Sequence, residues 1–291
     1  MTASSWREAF GEEVDATSAL STHLRVGLVL RKTLLLLERA GVPVVVVKGA
    51  VLAHTLYASP VERPIRDVDL RVRPRDLDRA LAVLSRQMAR QVRRSRVYRS
   101  AVVTTSGVDL DLESSLGPPF LCGLTVSQVL ARSVTAQHPL GFPYPQPELH
   151  DHALILAVNA FKDHLVDARS WSLLDLEKIV RVPGFDRDLF ARRARAHHAS
   201  TLVHVVARFL ARRSNTDWEE IARLVPPARP AFAAEMLRWA EGAPRADAAR
   251  RLRIRGASDV RARAAAAMGL AVLCQAEMGL GAWWEWVRAL R

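Results

Sequence analysis

An α+β fold, with a small mixed sheet in the first half and helices throughout the second, is predicted by three observations. Runs of β-branched residues, or of alternating acid and apolar residues, occur only before about residue 116. Apolar residues at helical spacing separate those runs. A proline-rich connection, PLGFPYPQP from Pro139, then precedes a half in which no run alternates convincingly as a strand. These observations place a mixed-sheet domain at residues 1–138, its first helix included, and an all-helical domain at 139–291. A chain of 291 residues is long enough for two such cores.

Residues 17–40 read as an amphipathic helix, with Leu20, Leu24, Leu28 and Leu35 among its recurring apolar positions, and Gly41 stops it. VPVVVVKG follows, a β-branched run without polar alternation that suits a strand buried on both faces. Ala50–Ala58 reads as a two-turn helix directly after Gly49, and the loop SPVERPIR leads into DVDLRVR, an alternating strand. Pro74 and Asp76 open a helix through RDLDRALAVLSRQ. VYRSAVVTT and VDLDLESSL read as two strands joined at Ser106-Gly107, a tight-turn pair. In the second half, HDHALILAVNAFKDH and SWSLLDLEKIVR, ended by Pro183-Gly184, lead into several Ala/Arg-rich helices.

Composition narrows the function classes. Hydrophobic residues are 49% and charged residues 25%, the balance of an ordinary soluble globular chain. No apolar run approaches the roughly 20 residues that span a bilayer. The first residues, MTASSWREAFGEEVD, carry acids where a signal peptide needs a basic then an apolar segment, so a cytoplasmic protein is expected. Cys122 and Cys274 cannot make a disulfide framework or a cysteine-rich zinc site and read as packing residues. The net charge of +12 permits a nucleic-acid partner. It does not require one, because the charge is mostly arginine spread along the chain and no basic block is interleaved with aromatics.

Chemistry concentrates at Arg66-Asp67-Val68-Asp69-Leu70. Residues two apart on a strand share a face, so Asp67 and Asp69 project together while Val68 and Leu70 face the core. Carboxylates held that close repel unless a cation lies between them, and a hard divalent ion is the usual resolution. Asp109, Asp111 and Glu113 repeat the spacing, and one of them would complete the site if the two strands are neighbours. Read alone, each acidic row is more simply a solvated strand face. Upstream, Lys48-Gly49 stands at a strand-to-helix junction, where backbone N–H groups and the helix dipole favour phosphate. Lys48 by itself is as readily a solvated strand-end charge, and Arg63 a loop arginine paired with Glu62.

The stretch VVVVKGAVLAHTLYASPVERPIRDVDLRVRPRDLDRALAVL resembles the start of the DNA polymerase β-like nucleotidyltransferase superfamily and, more narrowly, of the bacterial nucleotidyltransferase family 5 group. That group carries a strand ending Lys-Gly, a helix, an Arg-Pro pair and then Asp-x-Asp-Leu. Here these are Lys48-Gly49, Arg63-Pro64 and Asp67-Val68-Asp69-Leu70. A later strand of the type apolar-Asp-Leu-His corresponds to Val108-Asp109-Leu110-Asp111, and the likeness extends over roughly residues 20–215. It differs at two places: Ala50 stands where a phosphate-touching serine is usual, and Asp111 where a histidine is.

The resemblance implies transfer of a nucleoside monophosphate from a nucleoside triphosphate, such as ATP, to a hydroxyl acceptor. The acceptor is a small molecule, a peptide or protein, or an RNA end. Two Mg²⁺ or Mn²⁺ ions would be held by Asp67, Asp69 and Asp109, with Asp111 as the other candidate for the third ligand. Lys48, Gly49 and Arg63 would hold the triphosphate, and Glu113 would contribute little. The two departures leave open a nucleotide-binding module without turnover. In the helical half, His150, His152 and His164 could be taken for metal ligands but read as the polar edge of a helix start, and Lys162 and Asp175 as a solvated helix face or nucleotide contacts. Trp283, Trp284 and Trp286 read as buried against the helices or, if exposed, as a partner-binding patch.

Overall fold

Asp15 opens the first helix, α1 (Ala16–Arg39), by accepting from the backbone N–H of Thr17 and Ser18. Gly41, at φ 63°, closes it: its N–H donates to Glu38 and that of Val42 to Leu37, the paired bonds of a glycine-terminated helix. The structure, a computed structural model, describes residues 15–95, 100–117, 122–164, 170–213 and 216–240. The described residues divide into two compact units, those within 1–115 and 126–148 and those within 116–125 and 149–240. Cys274 and the three C-terminal tryptophans lie outside the described residues, as do Val97, Tyr98 and Arg99 at the start of the predicted VYRSAVVTT strand.

The first unit is a five-stranded mixed sheet in the order β1-β2-β5-β4-β3 with helices against it. Its strands are β1 (Val44–Val47), β2 (Asp67–Val72), β3 (Gln91–Ser95), β4 (Ser100–Thr105) and β5 (Val108–Glu113). Between them run α2 (Gly49–Thr55) and α3 (Leu77–Gln87), the latter preceded by a single turn at Pro74–Asp76. All four valines of β1 are buried, as a strand covered on both sides requires. Ser106 and Gly107 both take positive φ, 49° and 74°, the two-residue turn that joins β4 to β5. Val46, Val68, Leu70, Val72, Val103, Leu110 and Leu112 form the sheet's share of the core.

Three features differ from the sequence reading. Leu20, Leu24, Leu28 and Leu35 are the exposed leucines of α1, and its inward face is Ala19, His23, Val26, Leu30, Thr33 and Leu37. The helix is apolar on both sides, so periodicity alone selects the wrong stripe. QVRRS forms the edge strand β3, whose four residues Gln91–Arg94 are exposed; charge on an edge hides the strand pattern and also blocks unwanted pairing. The proline-rich run contains β7 (Phe142–Gln146), paired with β6 (Val134–His138) after the short helix α4 (Val126–Arg132). Phe142 and Tyr144 point inward while the prolines occupy alternate outer positions, which a two-stranded edge tolerates. This hairpin keeps residues 134–146 in the first unit, which includes 126–148, while 116–125 go with the second.

The second unit is helical over its described residues: α5 (Leu149–His164), α6 (Trp171–Ile179), α7 (Arg187–Ala196), α8 (Ser200–Arg212), α9 (Thr216–Leu224) and α10 (Pro230–Ala240). Leu154, Phe161, Leu176, Phe190, Val206 and Trp218 are among its buried side chains. His150 and His152 are buried rather than at a polar edge. His150 Nε2 accepts from the N–H of Asp186, and Asp151 pairs with Arg193 at 2.7 Å inside the bundle. Asp175 is fully buried, not on a solvated face. The side chains of Lys162 and His164 lie outside the described residues.

Candidate nucleotide site

β2 and β5 run parallel and in register, with Asp67 opposite Asp109, Asp69 opposite Asp111 and Arg71 opposite Glu113. Alternation along both strands therefore puts five acidic side chains and one arginine on a single sheet face, away from the core side of Val68, Leu70, Leu110 and Leu112. The two acidic rows of the sequence are one surface.

The middle of that surface is short of positive charge. Burial first, and then the charges of Asp69, Asp67 and Glu113, push the Asp111 carboxyl up to about 7, against a smaller opposing pull from Lys48. Asp67 is also raised, by burial and by Asp69, while Lys48 and Arg63 pull it down. A carboxylate cluster under this strain gains from a cation. Among the described residues, no group of three or more His, Cys, Asp or Glu side chains is arranged to cage a metal ion unaided.

Lys48 supplies the local cation. Its Nζ lies 2.6 Å from Oδ1 of Asp69, whose side chain is nearly buried. The Lys48 backbone has φ 58° and ψ −136°, a conformation that L residues adopt only at a cost of about 1–3 kcal/mol. Next to it, a Cβ on Gly49 would stand 3.1 Å from Cγ2 of Ile65 and 3.5 Å from a guanidinium nitrogen of Arg63, so the loop before β2 closes on this residue because it is glycine. Arg63 is buried there, and its Nη1 donates to the carbonyl of Pro64. Helix α2 is only seven residues long, so Lys48 and Arg63 carry more of the positive potential than its dipole does. Ala50, buried at the first turn, brings no hydroxyl.

The two candidate third carboxylates have different surroundings. Asp111 shares its field with Asp67 and Asp69. Asp109 accepts from the Thr104 hydroxyl at 2.5 Å and lies 3.4 Å from Nη2 of Arg93 on the edge strand. Glu113 is not a bystander: it pairs at 2.8 Å with Arg71, whose side chain is 1% exposed and whose Nη1 also lies 3.9 Å from Asp69. Arg71, Thr104 and Arg93 escape a sequence reading. Arg71 alone leaves a signal, standing two residues beyond Asp69 on the same face.

A mixed sheet that gathers paired strand carboxylates beside a lysine-glycine strand-to-helix junction defines the class: an α+β domain with an acidic site on one sheet face. The chain belongs to the family described as uncharacterised nucleotidyltransferase, whose pattern matches residues 18–215. No curated protein matches it.

Proposed function

We propose that the protein transfers a nucleoside monophosphate from a nucleoside triphosphate to a hydroxyl acceptor, with Asp67, Asp69 and Asp111 holding divalent metal and Asp109 serving the acceptor. The observation that supports this most is the in-register pairing of β2 with β5, which turns two acid-x-acid rows into one carboxylate surface beside Lys48 and Arg63. In this reading the first unit, which carries the carboxylates, is the nucleotidyltransferase domain. No described helix is long and apolar enough to cross a membrane.

Bound Mg²⁺ or Mn²⁺ supplies neutralisation of the pyrophosphate leaving group and a lowered pKa for the acceptor hydroxyl. Lys48 and Arg63 bind triphosphate oxygens, Lys as a point charge and Arg as a fork. The acceptor oxygen attacks the α-phosphorus, and the bond to the oxygen bridging the β-phosphorus breaks. Pyrophosphate leaves with that electron pair, and the hydroxyl proton passes to Asp109, which Thr104 orients.

Triphosphate labelled at either the α- or the γ-phosphate, added with Mg²⁺ and cell extract, tests this. Acceptor carrying label from the α-position only is the expected result. Label arriving from the γ-position, or equal labelling with wild type and Asp67→Asn/Asp69→Asn, overturns it. The absent Ala50 hydroxyl favours a second reading, a nucleotide-binding module without turnover, for which triphosphate binds and no acceptor is labelled.

A further inference from the structure

We propose that the acceptor carries a phosphate group close to its reacting hydroxyl, and that Arg93 and Arg25 bind that phosphate. This rests on the nucleotidyl-transfer reading above and adds the acceptor's chemistry to it. The register across β2, β5, β4 and β3 runs Asp69, Asp111, Val102, Arg93, so Arg93 belongs to the same sheet face as the carboxylates, on the side away from Lys48 and Arg63. Cationic groups therefore flank the acidic surface on opposite sides. Those at β1 serve the donor. Arg93, on β3, lies beyond Asp109 and Asp111, where an acceptor would approach.

Arg93 is 61% exposed, and its ionic contact among the described residues is the 3.4 Å approach to Asp109, itself 41% exposed. Most of its fork of donors thus faces water. Arg25, on α1, is exposed as well, and reaches the turn that starts β5: a Cβ on Gly107 would stand 3.4 Å from its Nη1. Arg93 thus approaches the β5 end at which Asp109 sits from the carboxylate face, and Arg25 from α1, which covers the core face, reaches the same end at the turn. Guanidinium forks match phosphate oxygens in geometry and charge. The electrostatics demand such groups: a face with five carboxylates and a polyanionic donor would repel a phosphorylated acceptor unless cations stood on the acceptor side. An uncharged acceptor would have no use for them.

NMR titration of the full chain, with Mg²⁺ and a non-hydrolysable triphosphate present, tests the subsite with ribose 5-phosphate, a short RNA with a free 3′-hydroxyl, and ribose as the uncharged control. We expect a phosphorylated probe to bind at least about tenfold tighter than ribose. Arg93→Gln and Arg25→Gln should each remove several-fold of that preference and the double variant nearly all of it, while Arg93→Lys retains part. Arg94→Gln, on the opposite face of the same strand where it pairs with Asp78, should leave it unchanged. Tight binding by the RNA alone identifies a nucleic-acid end, and by ribose 5-phosphate also a small phosphorylated alcohol. The proposal is overturned if ribose binds as well as both phosphorylated probes, if the Arg93 and Arg25 variants keep wild-type preference, or if Arg94→Gln loses as much as Arg93→Gln. Triphosphate binding is scored in the same samples, so failure of the donor reading shows separately.

Discussion

Nζ of Lys48 and Oδ1 of Asp69 stand 2.6 Å apart, and the backbone of Lys48 is held at positive φ where the pair forms. The lysine thereby both neutralises a buried carboxylate and accepts a conformation that glycine would adopt freely. Lys48→Ala should lose roughly 3 kcal/mol, because it leaves buried Asp69 only the 3.9 Å approach of Arg71 while keeping the backbone strain. Lys48→Gly should be more stable than Lys48→Ala by about 1 kcal/mol through relief of that strain. Urea unfolding of both variants measures the difference, and an alanine variant as stable as the glycine variant would show that the strain is not there.

Glu113 is the partner of a fully buried arginine, so its removal strands a charge. Glu113→Ala should destabilise the first unit by about 3 kcal/mol, and Glu113→Gln by clearly less, since the amide oxygen still accepts from Arg71. The solvated-face reading gives a change near zero for both. Thermal unfolding separates these outcomes.

Asp111, pushed up to about 7, sets a pH dependence. A folded-state pKa above the unfolded value of 3.8 means that its contribution to stability is fully present below about 4 and is lost as pH rises through about 7. Metal-free Asp111→Asn should therefore gain stability over wild type at pH 8 and show little gain at pH 4. Added Mg²⁺ should stabilise wild type more at pH 8 than at pH 6. A gain from Asp111→Asn that is the same at both pH values would contradict the assignment.

The fold was legible where local chemistry and tertiary demand agree. Valines in an unbroken run became a strand buried on both faces, and Ser106-Gly107 became the turn. It was illegible where tertiary context chose between two workable patterns. The leucines of α1 repeat as well as its true inner face does, yet that face includes His23, Gly27 and Thr33. Gly27 is inside because a Cβ there would stand 2.8 Å from the ring of His138. Within the site, the acid spacing was visible but its pairing was not: nothing in a sequence says that β2 and β5 run parallel with Asp69 opposite Asp111. Arg93 was invisible for a related reason, since its place beside Asp109 depends on two intervening strand pairings.

Three histidines form a second pH-sensitive group. His54 lies between His23 and His138, with ring centroids 5.4 and 4.8 Å away, and His138 stacks on Phe142. Burial first, then His54 and His23, push His138 down to about 4, and burial with His23 lowers His54. A folded pKa below the unfolded 6.5 gives stability that is present above about pH 6.5 and lost as pH falls toward 4, opposite in sign to Asp111. His138→Asn keeps an acceptor for the N–H of Leu140 but cannot titrate. Its stability relative to wild type should improve as pH falls from 7.5 to 4.5, and a difference constant across that range would rule the cluster out as an acid-labile element.

The central claim, that Asp67 and Asp69 hold a triphosphate through a divalent ion, is tested most directly by calorimetric titration of a non-hydrolysable nucleoside triphosphate with and without Mg²⁺. Wild type should bind at least about tenfold tighter with the ion. The Asp67→Asn/Asp69→Asn variant, shown to be folded by its unfolding transition, should lose that gain entirely. Equal affinity in the two proteins, or wild-type affinity indifferent to Mg²⁺, would contradict the account.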